Sequence, residues 1–442
     1  MSSPQSQNDL TTGSIYRHLI NLAIPASMGM FFNTLYNLTD NWFAGKISDD
    51  ALVGLSVSSI VFYLFIGLLA GLQNGTSVMV ATEIGLKNAN QLKHIISNSI
   101  AIGIIFSIII VVFGLWFAKD AIAWLSSQAS TTELAWEYIN ILLIGNIAFS
   151  ISSVAAGALM ALGDTISNRN ALIAGFFANL ALNPLLTFEL QMGVSGLAWA
   201  TLIIKIASAM YLLSILSKRL GYRPFPAFDR QLAVRIIRQV FPASFNFFIM
   251  IIGSLIVTAF VSTFGDYAVA GYSVGLRLEQ VLLLPALGLS TAVLAITGQN
   301  FGAKNYRRIA ETYRKGLILG LLISLLCIPV MIFLSPYLMT FFSPQSNIVV
   351  TGVSYLRIDS LAFFCYVSLF ISVATLQAIK QPDFPVIMGL FRQLLLPLAV
   401  NYWLISVLGY NIEWLFASVA LIVLISMIFT LYYTRLQLKK LT

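Results

Sequence analysis

Charged side chains are scarce in this chain. Only 10% of its 442 residues are Asp, Glu, Lys or Arg, against about 25% in an ordinary soluble domain. That scarcity, with 58% hydrophobic residues and a mean hydropathy of +0.88, is not that of a soluble globular domain. Cysteine is nearly absent: Cys327 and Cys365 both lie inside apolar stretches, where a thiol behaves as a small hydrophobe. Neither a disulfide framework nor a zinc spacing is present. The two histidines, His18 and His94, are far apart in sequence, so a metal centre is not expected. The first 14 residues, MSSPQSQNDLTTGS, lack the basic region and cleavage site of a removable signal peptide, so the first apolar span is expected to direct insertion.

What the chain does have is length in its apolar runs. Twelve stretches of about 17 to 30 residues are each able to cross a hydrocarbon core that needs about 20 residues of helix. They lie near 16–43, 51–81, 95–118, 134–160, 168–188, 193–217, 239–263, 268–298, 316–338, 352–378, 385–406 and 409–433. An all-α polytopic membrane protein follows. When alternate loops are assigned to opposite sides, one side collects nearly all the basic residues, including Lys218, Arg219, Arg223, Arg230, Arg235 and Arg238, and the other holds only Lys46 and Lys119. By the positive-inside rule both termini are cytoplasmic. The formal charge of +8 is accounted for by topology, so no nucleic-acid partner is invoked.

The two halves share one design. ALVGLSV from Ala51 resembles AVAGYSV from Ala268, IPAS around Pro25 resembles FPAS around Pro242, and Gly85 and Tyr138 answer to Gly302 and Tyr355, all at a constant separation of 217 positions. Six spans per copy is an even number, so the repeats are parallel about an axis along the membrane normal, an architecture suited to alternating access around a central site. The expected division is a cytoplasmic tail 1–15, a six-helix lobe 16–217, a linker 218–238, a second six-helix lobe 239–433 and a cytoplasmic tail 434–442.

Polar residues inside the spans carry the functional signal. In FFNTLYNLTDNWFAG, a helix places Asn33, Tyr36, Asn37 and Asp40 on one stripe, with a lone carboxylate at membrane depth. Such a group costs a few kcal/mol and marks an ion-coupling or substrate site, or else a carboxylate held by hydrogen bonds for packing. Asn179 and Asn183 are i, i+4 neighbours immediately before Pro184, and Thr201 and Lys205 are spaced likewise in the next span. With Tyr138 they are candidates for one hydrated pocket. The alternatives are interhelical hydrogen bonds worth about 0.6 kcal/mol each for the asparagines, and an ion pair for Lys205. The second half diverges: Asp40 falls on Val257 and Asn179 on Leu396. It carries instead Arg277, Glu279 and Gln280 in one span, Arg357 and Asp359 near the start of the next but one, where boundary anchoring is as reasonable as transport, and Arg392 with Gln393. Arg277 and Glu279 are two apart and should face different ways, each toward another helix. Pro25 and Pro184 are candidate hinges, because each removes a backbone donor inside a span.

The ordered set IPAS, TDNWFAG, ALVGLSV, ALNPLL followed by GVSGLAWAT, AVAGYSVGLRLEQ and GQNFGAKN resembles the multidrug and toxic compound extrusion family, the MATE antiporters, and within it the DinF-like branch. The resemblance covers essentially the whole chain. It implies two six-helix lobes forming a V-shaped central cleft, and a cation-coupled exporter of amphiphilic, cationic small molecules. It implies no enzymatic activity and no cofactor beyond the coupling ion, H+ or Na+. It also implies that Asp40 is the protonation or cation site, hydrogen-bonded by groups matching Asn179, Thr201 and Tyr138. Where many relatives carry a second acid before the proline, this chain has Asn183, which weakens a two-carboxylate sodium site; the glutamate that the NorM-like branch uses in the seventh span has no counterpart.

The expected function is therefore exchange of drug for protons through Asp40 in a bacterial inner membrane, by a monomer. Asn33, Tyr36, Asn37, Lys205, Arg277, Glu279 and Gln280 are the candidate substrate contacts. Sodium coupling is one alternative. A flippase for a lipid-linked precursor is another, for which only Lys205, Arg277 and Arg392 offer the required positive charge. A membrane enzyme would need a paired-carboxylate metal motif or a His-centred set, and neither is present.

Overall fold

The computed structural model describes residues 9–126 and 128–441, and every regular element among them is helical. In chain order these are α1 (Ile15–Ile47), α2 (Asp49–Gly85), α3 (Ala89–Leu125), α4 (Ala129–Ile144), α5 (Asn146–Ala161), α6 (Ile166–Pro184), α7 (Gly193–Leu220), α8 (Arg230–Ser262), α9 (Asp266–Gly302), α10 (Tyr306–Pro329), α11 (Ser335–Phe342), α12 (Ser346–Asp359), α13 (Phe363–Ala378), α14 (Asp383–Leu390), α15 (Leu396–Asn401) and α16 (Ile412–Leu441). Among the described residues ten helical stretches are long and apolar enough to cross a membrane, and two bent pairs bring the number to twelve.

Local chemistry sets the helix ends. Ser48 caps α2 by accepting from Ala51 N at 3.0 Å, and Asp49 and Asp50 follow in the first turn, where acids favour the positive helix end. Asp164 accepts from Ser167 N at 3.0 Å at the start of α6, and Asp229 from Leu232 N at 2.9 Å at the start of α8. α7 closes on Gly221 with φ +73°, a left-handed conformation that glycine takes without strain. Pro184 and Pro329 are each followed by a five-residue π-helical stretch, Leu185–Glu189 and Val330–Leu334. A proline deletes one rung of the α-ladder, and the wider turn takes up the slack. Pro25, in contrast, lies within an uninterrupted α1.

The repeat read from sequence reappears in three dimensions. The fourth and tenth spans are both broken: α4 and α5 meet at 54°, α12 and α13 at 55°, and the paired elements start 217 positions apart. Lys87 and Lys304, equivalent residues, both adopt left-handed φ values of 57° and 56°.

Two compact units are present, one containing Met28–Ser244 and the other Leu10–Ser27 with Phe245–Thr442. The boundaries thus fall inside α1 and α8, at the equivalent positions Ser27 and Ser244, and not in the 218–238 connection. The opening turns of each lobe's first helix belong to the other unit. Each is held by a glycine. A Cβ on Gly71 would lie 2.7 Å from both Val240 O and Ser244 N, and one on Gly288 would lie 2.6 Å from Ala23 O and 2.8 Å from Ser27 N. These are repeat-equivalent crossings, where two backbones approach too closely for any side chain.

The chain before each crossing is anchored in a matching way. Leu10 N donates to Gln299 Oε1 at 3.1 Å, and Arg308 donates to Thr12 O at 2.7 Å. In the other unit Ala227 N donates to Ser97 O at 3.2 Å and Asp229 N to Asn98 Oδ1 at 3.1 Å. Residues 1–8 of the expected N-terminal tail lie outside the described residues. The expected C-terminal tail is a continuation of α16 to Leu441.

Candidate functional site

The first unit gathers its polar side chains around Asp40, which is 5% exposed although it lies on a membrane-length helix. Asn179 Nδ2 donates to Asp40 Oδ1 at 2.8 Å and Asn183 Nδ2 to the same oxygen at 2.9 Å. Thr201 Oγ1 donates to Oδ2 at 3.4 Å and in turn accepts from the Tyr36 hydroxyl at 2.9 Å. Tyr138 is buried against Asp40, Tyr36 and Thr201. The i, i+4 spacing on α6 lets both amides reach one carboxylate, and they also bond each other at 3.1 Å. Pro184 follows directly, so the helix unwinds just past the second amide.

All the donors on the carboxylate are neutral. Among the described residues Lys205 is the one cation that acts on Asp40 electrostatically, yet its Nζ sits 5.4 Å from the centroid of the Phe149 ring, a cation–π placement, and forms no ion pair there. The ion pairs among the described residues are Arg219 with Asp164 and Lys315 with Glu311, both away from this cluster. Asp40 is therefore hydrogen-bonded without a fixed counter-ion. Burying an anion costs several kcal/mol unless a charge arrives to balance it, so the arrangement suits a site whose cation comes and goes.

The four-residue stripe expected on α1 is split. Tyr36 and Asp40 turn inward, whereas Asn33 and Asn37 are exposed and lie outside the cluster. The stripe is wider than one contact line, and the partner helices α6 and α7 cover only its edge at Tyr36 and Asp40.

In the second unit, Arg277 and Gln280 are exposed while Glu279 is 5% exposed, so Arg277 and Glu279 do face different ways. Glu279 accepts a hydrogen bond from the Tyr355 hydroxyl. Asp359, for which the sequence leaves boundary anchoring and a role in transport both open, is buried, because α12 begins at Ser346 and carries it to the bend before α13. Arg357 is exposed and donates to Ile332 O. The sequence reading missed the aromatic surroundings of Glu279, namely Tyr272, Tyr355 and Tyr366. The usable signal was Tyr355 itself, the repeat equivalent of Tyr138.

The MatE family model matches residues 25–185 and 242–403, one match in each half. A probable multidrug resistance protein of Thermotoga maritima, NorM, is 28% identical over 336 residues, covering 73% of this chain and 71% of that protein. A FAD transporter of Shewanella oneidensis is 25% identical over 407 residues, covering 89% and 90%. The solved structure of a MOP superfamily transporter from Pyrococcus furiosus superposes with a TM-score of 0.92 at 23% identity, covering 100% of this chain and 99% of that one.

Proposed function

The chain belongs to the MATE family, whose members are membrane transporters and not enzymes, and on that premise we propose that it exports amphiphilic organic cations in exchange for protons, coupled through Asp40. The carrying observation is the Asp40 carboxylate, buried and held by Asn179, Asn183 and Thr201 without a fixed counter-ion.

When Asp40 is ionised, its uncompensated charge favours a cationic substrate. A proton arriving from outside neutralises it, the amide bonds to Oδ1 weaken, and the attraction for the substrate is lost. Both ligands depend on one charge, so each lowers the affinity for the other by the same factor. α1 conveys the change: Pro25 lies just before the point at which this helix passes from one compact unit to the other. Asn183, in place of a second acid, favours a proton over sodium here, because a sodium ion would have a single carboxylate for compensation. A coupling carboxylate in the first span is what the resemblance to the DinF-like branch implies. A bacterial inner membrane is the proposed location.

The test is flux in proteoliposomes of the full chain, wild type and Asp40→Asn, loaded in turn with a fluorescent cationic dye and with FAD, under a pH gradient or a sodium gradient. Dye flux driven by pH and lost in the variant is expected. Flux that survives Asp40→Asn, or that follows sodium alone, overturns proton coupling at Asp40. Movement of FAD without dye assigns the chain to the substrate class of its Shewanella relative.

A further inference from the structure

The two units differ at one pair of equivalent places, where the chain enters α1 and where it enters α8. In the second unit that place is filled. Arg308 of α10 donates to Thr12 O at 2.7 Å and to Leu10 O at 3.4 Å, and His18 Nε2 lies 2.7 Å from the same Thr12 oxygen. In the first unit it is open. A cavity of about 310 Å³ is lined there by Gln91 and His94 of α3 and by Asp229, Gln231, Leu232 and Arg235 at the start of α8.

The repeat explains the difference. At the constant separation of 217, Gln91 answers to Arg308, Asp229 to Thr12 and Arg235 to His18. The shorter glutamine leaves unfilled the space that a guanidinium takes in the second unit.

The lining has a definite chemistry. Gln91 and His94 are i, i+3 on α3, and Gln231, Arg235 and Arg238 are i, i+4, i+7 on α8, so each helix contributes one polar stripe. His94, Arg235 and Arg238 are exposed, as are Lys93, Arg223 and Arg230 close by in sequence. Asp229 is the acid of the lining, and its Oδ1 is already engaged by Leu232 N. Positive charge therefore exceeds negative. A guanidinium, an imidazole and two amides supply the donors that a phosphate oxygen accepts from.

The surroundings favour a lipid as the carrier of that phosphate. α3, α7 and α8 are all long and apolar enough to cross a membrane, so the first turns of α3 and α8 lie at a membrane boundary. The connection 221–229 between α7 and α8 presents Phe225 and Phe228, which are 72% and 60% exposed. Exposed apolar rings beside basic side chains suit the zone where headgroups meet acyl chains, and basic segments there are drawn to anionic headgroups. In the other half of the chain the equivalents of Phe225, Phe228, Arg230 and Arg238 are Asn8, Thr11, Gly13 and Asn21. The cavity, the two phenylalanines and the arginine series thus occur together in one half and are replaced together in the other. A loop held on its side of the membrane by charge alone needs neither the cavity nor the phenylalanines.

We propose that this cavity binds the phosphate of an anionic phospholipid. Arg235 and His94 hold the phosphate, Gln91 and Gln231 the polar headgroup, and Phe225 and Phe228 the first carbons of the acyl chains. The site is separate from the Asp40 cluster and does not depend on the exchange reaction.

Native mass spectrometry of the full chain released from detergent micelles tests it, with phosphatidylglycerol, phosphatidylcholine or inorganic phosphate as the added probe. Phosphatidylglycerol is expected to be retained in preference to phosphatidylcholine. Its affinity should fall about tenfold in Arg235→Gln and stay unchanged in Arg307→Gln, which removes an exposed charge from α10 in the second unit. Gln91→Arg is the sharper variant. It adds a positive charge yet should weaken binding, because its guanidinium would close the cavity as Arg308 closes the equivalent place. Stronger binding in Gln91→Arg, equal losses in Arg235→Gln and Arg307→Gln, or equal retention of phosphatidylcholine overturns the site. Displacement of the lipid by inorganic phosphate at equal concentration assigns the cavity to free phosphate and overturns the lipid.

Discussion

Tyr138 and Tyr355 stand 217 positions apart, each buried in the first half of a bent span, and each meets a carboxylate that the other half of the chain does not possess. Tyr138 meets Asp40 from α1. Tyr355 meets Glu279 from α9 and lies four residues before Asp359 on α12. The tyrosines are thus repeat-equivalent while the acids stand at non-equivalent positions.

Asp40→Asn keeps the shape of the side chain and one oxygen able to accept from Asn179 and Asn183. Loss of gradient-driven flux is expected with little loss of folded protein, a change in stability of no more than about 1–2 kcal/mol. Flux assays alongside thermal unfolding in detergent check the separation of the two effects.

Asn179→Leu and Asn183→Leu should be damaging to similar extents. Asn179 and Asn183 each donate to Asp40 Oδ1, at 2.8 and 2.9 Å. Losing a hydrogen bond to a charged group costs about 1.5–3 kcal/mol. Unfolding of both single variants and of the double variant should show non-additivity, because the two amides also bond each other.

Gly71→Ala and Gly288→Ala are each expected to reduce folded yield sharply. The added methyl would meet backbone at 2.7 Å in the first case and 2.6 Å in the second. Backbone cannot move aside as a side-chain tip can, and overpacking costs about 1–3 kcal/mol or more. Gly45→Ala is the control: its nearest neighbour is Leu52 Cδ2 at 3.7 Å, an ordinary contact, and yield should be unchanged.

Asp164→Ala should cost about 1–2 kcal/mol through loss of the cap on Ser167 N at the start of α6. Arg219→Ala should cost less than about 1 kcal/mol, since the Arg219 side chain is 43% exposed and its 3.3 Å ion pair with Asp164 is screened by water. Equal losses in the two variants would place the stabilisation in the ion pair and not in the cap.

Much of this was legible in the sequence for a simple reason: a bilayer imposes length and apolarity on each span, and a duplicated chain repeats its landmarks at a fixed interval. The twelve spans, the constant separation of 217 and the prominence of Asp40, Asn179, Asn183, Thr201 and Tyr138 all follow from composition, period and resemblance. The division between units was not legible in this way. A helix interrupted neither at Pro25 nor at Pro242 gives no local sign that its opening turns pack with the other half of the chain.

What the sequence by itself determined is that the chain is a duplicated helical membrane protein with an isolated acid in its first span, because hydrophobic length and repeat spacing are local, countable properties. Only the tertiary structure decided which polar residues meet. Asn33 and Asn37 share a stripe with Asp40 yet stay exposed, and Asp359, which the sequence leaves open between a span-end anchor and a role in transport, is buried near Glu279. The physical reason is that membership of a cluster depends on which helix covers which face and where a span bends, and both are set by packing between segments far apart in the chain.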